Sequence, residues 1–125
     1  MIVGMGIDFI DSGRVERGLA RCPWTPQDGI FTASEIVFCN SKRKSALLYA
    51  SCFVAKEATL KALGLEVTNL SLFRDVELLR GPEGKAVLRL HGQARSVSQK
   101  QGVRRLSVAV TTTARLSGAV VVLES

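Results

Sequence analysis

A chain of 125 residues, 46% hydrophobic and 22% charged, is the size of one domain and long enough to bury around two-thirds of its unfolded surface, so one core and no linker are expected. Seventeen Lys and Arg against eleven acids give a net charge of +6, which favours an anionic partner (nucleic acid, phosphorylated ligand, acidic protein or membrane surface) without choosing among them. Cys22, Cys39 and Cys52 are odd in number and show no C-x-x-C pair, so neither a disulfide framework nor a zinc knuckle is indicated; no apolar run approaches the ~18 residues that span a bilayer, and a soluble, cytoplasmic protein with reduced cysteines is expected.

Residues 2–10, Ile-Val-Gly-Met-Gly-Ile-Asp-Phe-Ile, read as a buried strand ending near two acids, Asp8 and Asp11. Gly4 and Gly6 let another backbone approach closely. They do not make a dinucleotide fingerprint, because Phe9 stands where the third glycine is needed. Asp11 or Ser12 can cap a short helix to about Cys22, with Val15, Leu19 and Cys22 on its core face and Arg14, Arg17 and Arg21 on another. Residues 23–29 form a loop. Thr32 and Glu35 make a capping box, with Phe31 and Ile36 placed as its hydrophobic staple, so a short helix runs over 33–39.

Ser41 is placed to cap a long central helix that begins with Lys42-Arg43-Lys44 and ends at Gly64. Three cations at a helix start oppose the macrodipole, and that placement becomes useful where a phosphate or acidic partner binds. Residues 73–80 and 85–90 read as strands of a hairpin joined by Gly81-Pro82-Glu83-Gly84. A weak helix over 92–101 ends at Gly102, and residues 106–111 and 117–123 form a second hairpin. The whole is an α+β fold, with antiparallel strands packed against the central helix. His91, the only histidine, falls at a strand end as a surface or boundary residue.

Within the central helix, turn arithmetic of about 100° per residue puts Glu57 in the stripe of Ala46, Ala50 and Phe53, pointing toward the core. A carboxylate in apolar surroundings must find a cation or donors, or give up its charge. Either Lys61, one turn on, suffices, or a metal sits there. Asp8 and Glu57 lie on separate elements and together could hold one magnesium, which commonly keeps waters and a substrate diphosphate beside one or two protein carboxylates.

Gly6-Ile7-Asp8 with Asp11, Arg14 in the next helix, Phe31-Thr32 with Glu35, the run from Phe53 to Gly64, and Gly84-Lys85 together resemble the small holo-acyl-carrier-protein synthases of the phosphopantetheinyl transferase superfamily, over nearly the whole chain. The resemblance implies transfer of 4′-phosphopantetheine from coenzyme A to a serine of an acyl carrier protein, leaving 3′,5′-ADP. It implies magnesium on Asp8 and Glu57, Lys61 as a second positive charge, and a homotrimer with sites between subunits. Lys42, Arg43, Gly84, Lys85, Thr111 and Thr113 are the candidates for holding coenzyme A. Arg14, Arg17 and Arg21 are the candidates for docking the acidic carrier, of which only Arg14 rests on the family match. The chain departs from the family pattern at Cys52, where arginine is common, at Ala86 in place of proline, and at Thr112 in place of histidine. Two other readings are a catalytically weakened relative that binds coenzyme A or the carrier, prompted by Cys52 and Thr112, and a basic nucleic-acid-binding module. The latter rests only on the charge and on Lys42 to Lys44, with few aromatics for stacking.

Overall fold

The computed structural model describes residues 1–21 and 29–125, and the side chains of 19–21 are not among what is described. The expectations for Leu19, Arg21, Cys22 and the loop after it therefore lie outside the described residues. The elements follow in the order β1 (Ile2–Asp11), α1 (Ser12–Arg21), α2 (Ala33–Asn40), α3 (Ser45–Leu63), β2 (Val76–Arg80), β3 (Ala86–Leu90), α4 (Gly92–Lys100), β4 (Arg105–Thr112) and β5 (Leu116–Glu124). All pairings are antiparallel, in a three-stranded sheet ordered β1-β5-β4 and a two-stranded sheet β2-β3. The α+β class and both hairpins are as expected.

The crossing of β1 over α3 sets up everything that follows. A Cβ at Gly4 would come within 2.3 Å of the Ala62 carbonyl oxygen, and one at Gly6 within 1.9 Å of the Ala58 carbonyl oxygen. Only glycine allows the strand to lie directly on the helix backbone at these two places. Alternation then carries Asp8 and Ile10 onto the same side and turns Met5, Ile7 and Phe9 outward, each more than half exposed. The strand is thus covered on one face only, a correction to the fully buried strand expected from its apolar run.

Local signals at helix ends hold where the bonds are local. The capping box is present, with Glu35 N donating to Thr32 Oγ1 at 3.2 Å and Thr32 N to Glu35 Oε1 at 2.9 Å, and Phe31 and Ile36 are buried. Gly64, at φ 73°, ends α3 in the left-handed conformation, and Leu65 N donates to Leu60 O at 2.9 Å. Two expectations fail. Ser41 closes α2 instead of opening α3, its Oγ donating to Phe38 O at 2.7 Å. Residues 42–44 then form a turn, and α3 begins at Ser45 without a side-chain cap. Likewise Leu70–Asp75 is a 3-10 segment, so β2 begins at Val76. Asn69 accepts from Ser71 N at 2.9 Å, and Asp75 is drawn away to the start of α4, accepting from Gln93 N at 2.9 Å.

The core lies around α3, whose Tyr49, Ala50, Val54, Ala58 and Leu60 are buried together with Val121 and Leu123 of β5 and Val76 of β2. Cys39 and Cys52 are free and buried, with sulfurs 3.9 Å apart. The contact between the two thiols and burial push the Cys52 thiol up, so Cys52 sits as a neutral thiol. His91 is exposed against Glu77, with Nε2 to Oε1 at 3.0 Å. Burial pushes Glu77 up, but its hydrogen bonds with Ser34, His91 and Thr32 outweigh that and hold it below the ordinary carboxylate value.

Candidate active site

Asp8 reaches the site because β1 is seated on α3 by its glycines. Its Oδ1 accepts from Lys61 Nζ at 2.9 Å, with the aspartate side chain 12% exposed and the lysine 56%. Its other oxygen, Oδ2, is buried and has no hydrogen-bond partner among the described residues. A buried carboxylate oxygen without a donor is costly to leave bare, and a hard cation satisfies it.

Glu57 does not point into the core. It is half-buried and borders two grooves. One, of ≈450 Å³, is walled by Phe9, Ile10, Arg14 and Phe53; the other, of ≈310 Å³, by Lys61, Leu65 and Glu66. Of the stripe that sequence spacing assigned to it, Ala46 and Phe53 are themselves only half-buried, while Ala50 lies in the core. Lys61 is paired with Asp8, so the helical Glu57–Lys61 pair is replaced by a bond between elements.

The buried charge on α3 is Lys56, one residue earlier. Its Nζ contacts Glu35 Oε1 at 2.6 Å, with both side chains fully buried, and donates to Phe73 O at 2.9 Å and to Val76 O. Glu35 Oε2 in turn accepts from Leu78 N at 2.8 Å. All three ammonium protons thus have acceptors. Desolvation lowers the Lys56 pKa, and the Glu35 charge opposes that shift. The ties to α2 and β2 fix the rotation of α3, and Glu57, about 100° further round, is thereby turned toward the β1 side. Sequence reasoning missed this pair although a signal existed. Tyr49, Cys52, Leu60 and Leu63, at helical spacing from Lys56, are all buried, a more apolar stripe than the one around Glu57.

The other candidates fall in different places. Arg14 and Arg17 are exposed on α1, and Arg14 lines the larger Glu57 groove. Lys42 and Arg43 are exposed on the turn before α3, with Lys42 Nζ 5.7 Å from the Phe38 ring centre. Gly84 and Lys85 are exposed at the β2–β3 turn, and Thr111 is exposed on the outer face of the three-stranded sheet. Thr113 is engaged in its own turn: its Oγ1 accepts from Leu116 N at 2.9 Å and lies 3.1 Å from Leu116 O. Within one copy, then, the fold brings together Asp8, Lys61, Glu57 and Arg14, and leaves the coenzyme candidates apart from them. Among the described residues no group of three His, Cys, Asp or Glu forms a metal cage.

A model of the 4′-phosphopantetheinyl transferase superfamily matches residues 4–113, and the chain belongs to that superfamily. Within it, the full-length relatives are holo-[acyl-carrier-protein] synthases. That of Syntrophus aciditrophicus is 34% identical over 124 residues, covering 99% of this chain and 97% of the relative. The crystal structure of the Neisseria meningitidis synthase aligns with a TM-score of 0.85 at 28% identity over the whole of both chains. The Bacillus anthracis synthase, crystallised in complex with CoA (3′,5′-ADP), aligns with a TM-score of 0.79 at 28% identity, covering 100% of this chain and 98% of that one.

Proposed function

We propose that this chain transfers 4′-phosphopantetheine from coenzyme A to a serine of an apo acyl carrier protein, with Asp8 and Glu57 as magnesium ligands. The observation that carries the reading is the buried Oδ2 of Asp8, without a hydrogen-bond partner among the described residues, beside a lysine of the groove that Glu57 borders. In the reaction the serine hydroxyl loses its proton to water as its oxygen bonds to the β-phosphorus of coenzyme A, the phosphoanhydride bond breaks, and 3′,5′-ADP departs with the bonding electron pair. Bound magnesium supplies charge that neutralises the transferring and leaving oxygens. Lys61, whose ammonium is bonded to Asp8 and whose side chain is 56% exposed, adds a second cation for the diphosphate. Phe53, Ile10 and Phe9 give the groove beside Glu57 an apolar wall that limits water at the attacking serine.

Mass spectrometry after mixing the protein with apo carrier, coenzyme A and magnesium tests this directly. The carrier gains the mass of one phosphopantetheine group. Binding of both substrates without any gain in mass would instead identify a weakened relative. No helix among the described residues is long and apolar enough to cross a membrane, and the reaction we assign belongs in the cytoplasm, with its acidic carrier.

The arginines of α1 are assigned to that carrier. Reversing Arg14 and Arg17 to glutamate is expected to raise the carrier KM about tenfold at low salt, with a smaller change in turnover. The difference should shrink at high salt, because exposed charges act on encounter and are screened. A carrier KM untouched at low salt would leave α1 an ordinary solvated face.

The outward face of the three-stranded sheet is assigned to a homotrimer. Met5, Ile7, Phe9, Leu116 and Val120 are exposed there in one copy, and a contiguous apolar face of this kind marks an interface. Light scattering is expected to give three subunits for the parent protein and one for Ile7→Glu, which places a charge in the interface core. A parent monomer that transfers at full rate would exclude a shared site.

A further inference from the structure

The end of the β4–β5 hairpin is clasped from both sides by hydroxyl pairs that the transfer chemistry does not use. On β4, Thr112 Oγ1 lies 2.6 Å from Ser51 Oγ of α3, and Ser51 also bonds to Leu47 O at 3.1 Å. A serine has one proton, so with Ser51 donating to Leu47 it is Thr112 that donates to Ser51. On β5, Ser117, the register partner of Thr112, has its Oγ 2.7 Å from that of Ser12 at the start of α1, both fully buried. Ser12 N adds a bond to Arg115 O at 3.1 Å.

The clasped segment borders two grooves that share Lys44 and Leu47. One, of ≈390 Å³, has an apolar floor of Phe38, Leu47 and Leu48 with Lys42, Lys44 and Thr112 beside it, and the other, of ≈560 Å³, is walled by Arg43, Lys44, Glu16 and Ala114. β4 is an edge strand, with a ladder on one side only. Its end is therefore held by the turn, by β5 and, on the α3 side, by packing and the hydrogen bond to Ser51.

We infer that Ser51 is a positioning residue for the coenzyme: through Thr112 it fixes the hairpin end as a wall of the groove that Phe38, Leu47, Lys42 and Lys44 line, which takes the nucleotide end of the coenzyme. The inference rests on the coenzyme A reading above, and it gives Ser51 a role that its small side chain on a mostly apolar helix does not announce. Loss of one such bond corresponds to about a five- to tenfold change in an equilibrium.

Ser51→Ala in the full chain is expected to raise the KM for coenzyme A about five- to tenfold, with kcat within about twofold and the carrier KM unchanged. Amide exchange at residues 112–115 should accelerate in the same variant. Ser51→Thr, which keeps a hydroxyl able to bond the carbonyl one turn back, should restore both values. An unchanged coenzyme KM, or a parallel rise in both substrates' KM together with a lower melting temperature, would overturn the assignment, the second because it marks a merely structural role. If the parent protein shows no transfer at all, the proposed function has failed. Amide exchange then still decides the clasp, and no acceleration in Ser51→Ala overturns it.

Discussion

Glu57→Gln is expected to lower magnesium-dependent transfer roughly a thousandfold while leaving the melting temperature within a few degrees of the parent. A metal ligand that neutralises charge on a transferring phosphoryl group contributes several kcal/mol to the transition state, and about 4 kcal/mol corresponds to three decades of rate. The fold loses little, because Glu57 is half-buried at the edge of open grooves and glutamine keeps its size and polarity. Asp8→Ala should reduce transfer comparably and also release Lys61, which is anchored at 2.9 Å. Lys61→Met is expected to lower turnover more than metal affinity, since the lysine is assigned to phosphate charge. Transfer rates measured against magnesium concentration, beside calorimetric metal binding, separate these cases. Near-normal turnover of Glu57→Gln in magnesium would remove Glu57 from the metal site.

Lys56→Met is expected to destabilise the fold by about 3–5 kcal/mol, the usual cost of leaving one member of a buried ion pair without its partner. The carboxylate of Glu35 would remain fully buried with only Thr32 N and Leu78 N to satisfy it. Val76 O would lose the Lys56 donor as well, while Phe73 O would keep only the Val76 N–H. Glu35→Gln should cost less, because the amide oxygen can still accept while the ammonium loses its counter-charge. Pairing Lys56→Met with Glu35→Gln is expected to recover part of the loss, since removing both charges also removes the desolvation penalty of each. Denaturant unfolding of the four proteins gives the coupling energy. A Lys56→Met protein within about 1 kcal/mol of the parent would show that the pair does not hold α3 in place.

Much of the local architecture was legible in the residues themselves. The Thr32–Glu35 box, the stop at Gly64 and the turns around 81–84 and 112–115 depend on bonds spanning a few residues. The choice at such places is made by one or two side chains and a glycine, whatever lies across the core. The pairing of Asp8 with the central helix was readable for a related reason: Gly4 and Gly6 announce a close backbone crossing before any partner is known. What the chain could not reveal alone is decided by contacts between distant elements. Ser41 had two helix ends within reach, and the end of α2 took it. Asp75 left the expected strand to cap α4. Most of all, Glu57 and Lys56 are neighbours about 100° apart on one helix, and either could have faced inward by spacing. Glu35 in α2 and the carbonyls before β2 supply the acceptors that let a lysine be buried. That rotates α3 so that Glu57 is left at the groove, the position that the proposed magnesium ligation requires.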